Sequence, residues 1–103
     1  MTTMTKPQSI ILIGRKWFHK GPGNTYHSVS IYVDGKMVHK VDYCYGYGNQ
    51  WEWTGAEWLN KNGYVDLERF EGTGGHESLW RYCEKHSIAY SCEVTDVQRK
   101  KDL

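Results

Sequence analysis

Tyr43-Cys44-Tyr45-Gly46-Tyr47-Gly48-Asn49-Gln50-Trp51-Glu52-Trp53 is the stretch where a two-residue alternation of side chains gives way to helical spacing. It reads as the end of a strand, a tight turn and the start of a helix. Gly46 and Gly48 admit backbone angles that a β-carbon forbids, and Asn49 is the natural N-cap. The unpaired N–H groups of the following helical turn are donors toward an anion or a carbonyl. Eleven residues carry three tyrosines and two tryptophans. Such a rim suits gripping a planar or anionic group, and it equally suits an aromatic corner of the core.

Upstream of the turn, Tyr26 to Val33 and Met37 to Tyr45 read as a hairpin around Asp34-Gly35. A two-residue loop pairs Val33 with Lys36 and places Lys36, Lys40 and Asp42 beside Val29 and Ile31 on the buried face. A three-residue loop with a bulge pairs Val33 with Met37, Ile31 with His39, Val29 with Val41 and His27 with Tyr43. Because a slip of one residue inverts every side chain, the second register, with its mostly apolar face, is the expected one. Ser9 to Phe18 is a further strand, and Lys20 to Asn24 a loop.

Downstream, Trp51, Gly55, Trp58 and Leu59 form a core-facing stripe on a helix over Gln50 to Asn62, which leaves Trp53 the most exposed aromatic. Tyr64 to Phe70 is ambiguous, and Gly72 to Gly75 reads as a hinge or binding loop. A second helix is predicted from His76 to His86, burying Leu79, Trp80 and Cys83. Ile88 to Val97 is a last strand with Ile88, Tyr90, Cys92 and Val94 inward. The expected fold is α+β: a single antiparallel four-stranded sheet in the order β-β-β-α-α-β, with two helices packed on one face. Residues 1–8 form a flexible N-terminus, 9–98 the domain and 99–103 a charged tail.

With 103 residues the chain makes one domain with a modest core. Five Trp and eight Tyr compensate for few aliphatic side chains. The net charge of +1 and pI near 7.7 argue against a general nucleic-acid binder. The longest apolar run, Ile10 to Ile13, is far too short for a membrane helix, and the N-terminus lacks a hydrophobic leader. Three widely spaced cysteines, Cys44, Cys83 and Cys92, suit free thiols in a cytoplasmic setting.

No ligand spacing for a metal is present, so no metal and no cofactor are expected. Cys83 and Cys92 fall on inward faces, which leaves Cys44 as the thiol to test for nucleophilic chemistry. No catalytic residue is assigned. The main candidate site gathers Asn24, Tyr26, His27, Tyr43, Tyr45 and Tyr47 at one end of the sheet, with Trp53 nearby. A second candidate is basic, from Arg15, Lys16 and Lys20 to Arg99 and Lys100, with aromatics available for base stacking.

Lys16-Trp17-Phe18, then Gly23-Asn24-Thr25-Tyr26-His27-Ser28-Val29, Tyr32-Val33-Asp34-Gly35 and Tyr45-Gly46-Tyr47-Gly48 resemble a family of small uncharacterised bacteriophage and mobile-element proteins. The likeness runs from about Arg15 to Gly63 and carries no catalytic residue. It implies a small viral accessory protein of the host bacterial cytoplasm, of a kind that inhibits host defence or sequesters a signalling nucleotide. The expected function is therefore a non-catalytic binder of a host protein or small ligand through the aromatic–glycine turn, as monomer or homodimer. A nucleotide or nucleic-acid binder is the alternative, and a small hydrolase the third reading.

Overall fold

The structure is a computed structural model that describes residues 7–46, 48, 50–70, 72 and 75–103. Strand β1 (Ser9–His19) pairs antiparallel with β2 (Asn24–Val33), which pairs antiparallel with β3 (Lys36–Tyr45). Helices α1 (Gln50–Lys61) and α2 (Leu79–Lys85) follow, then β4 (Ala89–Val97) and a single 3-10 turn at Lys100–Asp102. The fold is α+β with one four-stranded sheet, ordered β3-β2-β1-β4.

The sheet is mixed rather than wholly antiparallel, because β4 lies parallel to β1, from Ser9 opposite Ala89 to Trp17 opposite Val97. Helix length explains the correction. The 12 residues of α1 span about 18 Å, enough to carry the chain back along a strand. The 7 residues of α2 span only about 10 Å, too short for a second full crossing. One return, not two, sets β4 running in the direction of β1.

Ile10, Leu12, Val29, Ile31 and Val33 bury one face of the sheet beneath Trp51, Ala56 and Leu59 of α1 and Leu79, Tyr82 and Cys83 of α2. Trp51 lies over Gly14, and Leu12 meets Gly55. Val65 and Leu67, in the segment read as ambiguous, also enter this core, and the Asn60 Oδ1 holds that segment by accepting from the Leu67 N–H at 2.9 Å. Two expectations fail. Trp80 falls off the Leu79–Tyr82–Cys83 face and is half exposed rather than core, and Cys92 and Val94 lie open on edge strand β4, which the short α2 leaves uncovered.

The hairpin combines both registers considered from sequence. Val33 pairs with Lys36 across a two-residue turn, with positive φ at Asp34 (52°) and Gly35 (84°). This is the backbone that an Asp-Gly turn favours, and the Asp34 Oδ1 accepts from the Gln8 and Ser9 N–H groups at 2.8 and 3.0 Å. Tyr32 then pairs with Met37 but Ile31 with His39, so Val38 is an extra residue. That bulge restores the apolar face which the two-residue turn alone would have lost. Ile31–His39 and Val29–Val41 form as expected from the sequence, whereas Val33–Met37 does not. A second irregularity follows, with His27 opposite Cys44 instead of Tyr43.

Candidate functional site

The second irregularity decides where the tyrosines go. Between the pairs Val29–Val41 and His27–Cys44, Ser28 alone faces both Asp42 and Tyr43. His27 shares the helix side with Val29 and Ile31 by alternation along β2, and the one-residue offset in β3 turns Tyr43 and Tyr45 to the open side beside Tyr26. The histidine and the tyrosines of the first candidate site are thus separated by the thickness of the sheet.

On the open side the rings form a ladder across three strands. His19 stacks on Trp17 at 4.8 Å between centroids, Trp17 on Tyr26 at 5.8 Å, and Tyr26 on Tyr43 at 4.8 Å. Tyr45 meets Tyr26 edge-on, with planes at 69° and centroids 5.6 Å apart. The cross-strand pairs Trp17–Tyr26 and Tyr26–Tyr45 impose this contact. Tyr43 is 45% exposed and Tyr45 57% exposed.

Cations border the ladder. The Lys100 ammonium sits 4.7 Å from the Tyr43 ring centre. The Arg15 guanidinium donates to the Asp102 carbonyl at 3.5 Å and the Lys40 ammonium to the Leu103 carbonyl at 3.3 Å. The 3-10 turn is therefore laid back across the sheet rather than extended away from it. Of the other basic candidates, Arg99 pairs with Asp102 at 3.3 Å. Lys16 and Lys20 line a cleft of about 290 Å³ with Phe18, Thr25 and Asp96.

His27 is wholly buried. Its Nδ1–H donates to the Gly46 carbonyl at 3.3 Å, so the neutral ring accepts at Nε2 from the Thr54 hydroxyl, 2.8 Å away. That hydroxyl has the Gln50 carbonyl as its alternative acceptor at 3.0 Å. Burial holds the imidazole below its ordinary pKa of 6.5, against the Gly46 carbonyl, which favours the charged ring. His27 clamps the strand-to-helix corner to α1. Gly46 makes this possible, since a Cβ there would lie 2.4 Å from the Gln50 Cγ and 3.0 Å from the His27 ring.

Asn24 sits at the β1–β2 hairpin end opposite His19. Trp53 lies on α1, stacked on His76 at 3.9 Å with its Nε1–H on Glu57, well apart from the tyrosine ladder in the fold. Tyr47 of the candidate site, the Asn49 cap and residues 73 and 74 of the expected 72–75 loop lie outside the described residues.

Sequence reasoning missed Trp17 and Lys40, and it counted His19 only among the basic residues beside Lys16 and Lys20. A signal for the Trp17–His19 stack existed: Arg15, Trp17 and His19 alternate along one side of β1. Among the described residues no group of three or more His, Cys, Asp or Glu side chains could hold a metal, and no helix is long and apolar enough to cross a membrane. No family model, curated protein or solved structure matches the chain.

Proposed function

We propose that the chain binds single-stranded nucleic acid across the open face of its sheet. The observation that carries this reading is the ladder His19–Trp17–Tyr26–Tyr43 with Tyr45 at its side and Arg15, Lys40 and Lys100 around it. Aromatic rings offer stacking platforms to any base, each worth about 1–3 kcal/mol, while cations track the phosphates. The Trp17, Tyr26 and Tyr43 rings spend faces on one another. Tyr45, turned against Tyr26 and the most exposed of the four, offers a ring face to solvent, and His19 ends the ladder on the other side.

On the ladder side Asp42 lies 3.8 Å from Lys40 and Asp102 3.3 Å from Arg99, while four further carboxylates, Glu52, Glu57, Glu77 and Glu84, lie on or beside the helices, away from the ladder. The turn-centred site read from the sequence does not serve as well, since His27 is buried on the far side of the sheet. An accessory role in a phage-infected bacterium, as the sequence resemblance implies, is compatible with such binding.

Fluorescence anisotropy with labelled oligothymidylate, oligouridylate and a duplex of equal length tests the proposal at several salt concentrations. Single strands are expected to bind with log K falling linearly with log salt. Tyr45→Leu should weaken binding by about 1–3 kcal/mol, and Lys100→Ala should lower the salt slope by about one. Absence of binding at low salt, or equal binding of duplex and single strand untouched by Tyr45→Leu, would overturn it.

A further inference from the structure

A separate cleft of about 250 Å³ opens on the helical side of the molecule, lined by Glu52, Trp53, His76, Ser78 and Trp80 among others. Its most informative wall is His76. The ring is only 3% exposed, its Nδ1–H donates to the Glu77 carbonyl at 2.8 Å, and one face stacks on Trp53 at 3.9 Å. That tautomer leaves Nε2 as a bare acceptor, and among the described residues nothing bonds to it. A buried acceptor without a donor is costly, by about 1–3 kcal/mol, and calls for a partner.

A second acceptor stands in the same cleft. The Glu52 carboxylate takes the Tyr90 hydroxyl on Oε2 at 2.5 Å, which fixes the carboxylate and leaves Oε1. Burial and this bond push the Tyr90 hydroxyl pKa well up, so the phenol keeps its proton and Glu52 stays the acceptor of the pair. Two indoles complete the walls. Trp80 separates this cleft from a larger groove that contains Arg81, whose guanidinium lies 5.3 Å from the Trp80 ring centre. Among the described residues that line the cleft there is no Lys or Arg.

We infer that this cleft binds a small planar cation of the guanidinium class, held flat against the indoles with one N–H on His76 Nε2 and another on Glu52 Oε1. Two acceptors set between aromatic walls match a group that is flat, positive and donor-only. A neutral ligand would leave the carboxylate unmatched, and an anion would be repelled by it. The cleft is independent of the sheet face, so neither site depends on the other.

The test is a titration with n-butylguanidinium, using n-butylurea as the neutral isostere and n-butylammonium as the non-planar cation, followed by tryptophan fluorescence and by the ¹⁵N shifts of His76. Saturable millimolar binding of the guanidinium is expected, with the urea weaker by about tenfold or more. The His76 Nε2 resonance should move as it accepts a hydrogen bond. Glu52→Gln, which keeps an acceptor for Tyr90, should weaken binding about tenfold, and Trp80→Leu at a half-exposed position should do so without unfolding the chain. Tyr45→Leu on the sheet face should change nothing. Equal binding of butylurea, no saturable binding, or a Glu52→Gln variant that binds as well as the parent would overturn the inference.

Discussion

Gly14→Ala is a sharp probe of how α1 sits on the sheet. A Cβ at Gly14 would stand 2.6 Å from Trp51 Cε3 and 2.7 Å from Cδ2, atoms in the body of an almost fully buried indole. Neither a rigid ring nor the strand beneath it can yield locally, so overpacking should cost about 1–3 kcal/mol. Replacing a strand glycine returns about 0.5–1 kcal/mol of backbone entropy. The net destabilisation is then about 0.5–2 kcal/mol, or about 2–16 °C in Tm for a domain of this size. Gly55→Ala is the internal control. The nearest neighbours of its Cβ would be the Leu12 methyl groups at 3.0 and 3.1 Å, the far end of a side chain that can turn. A gain of about 1 kcal/mol in helix propensity offsets that crowding. Urea unfolding followed by tryptophan fluorescence compares the two. If Gly14→Ala proves as stable as Gly55→Ala, the close approach of Trp51 to β1 is wrong.

His27 is buried neutral with its pKa below 6.5. The unfolded chain therefore takes up a proton first, and folded stability should fall as the pH drops below about 6.5 until the folded ring also protonates. In His27→Gln, urea midpoints measured between pH 5 and pH 7.5, about the range in which histidine titrates, should show a shallower decline. The Glu77 carboxylate accepts the Glu68 N–H at 2.9 Å and pairs with Lys85 at 3.2 Å. Glu77→Ala should cost about 1.5–3 kcal/mol and Glu77→Gln less, since the amide still accepts the N–H; equal losses in thermal melts would contradict this. Burial pushes the Cys83 thiol pKa up to about 11. In a thiol-labelling time course Cys92 should react at once and Cys83 only on unfolding, and prompt labelling of Cys83 in the native state would count against the packing of α2.

The strands, the first helix and its stripe were legible because their periodicities are strong and local. Trp51, Gly55 and Leu59 face the core as their spacing demands. Trp58 instead stacks between His39 and Tyr64 at the rim. What the sequence concealed came from single-residue offsets. Asp34-Gly35 correctly signals a two-residue turn, and the polar face it implies correctly signals trouble; only a bulge at Val38 reconciles the two. The second offset, opposite Ser28, parts His27 from Tyr43, and with it goes the pocket expected at the corner. Neither offset leaves a mark in composition. The orientation of β4 depended on the length of α2, which a period-3.6 pattern overestimated at its first turn. The ladder formed by Trp17 was hidden because it joins three strands, and cross-strand neighbours emerge only once register is known.

The most direct measurement of the central claim is NMR mapping of an oligothymidylate titration, with resonances assigned for ring and backbone groups. Shifts concentrated on His19, Trp17, Tyr26, Tyr43 and Tyr45 and on the ends of Arg15, Lys40 and Lys100 are the predicted result. Shifts confined to α1, α2 and the segment between them, or none at saturating oligonucleotide, would contradict it.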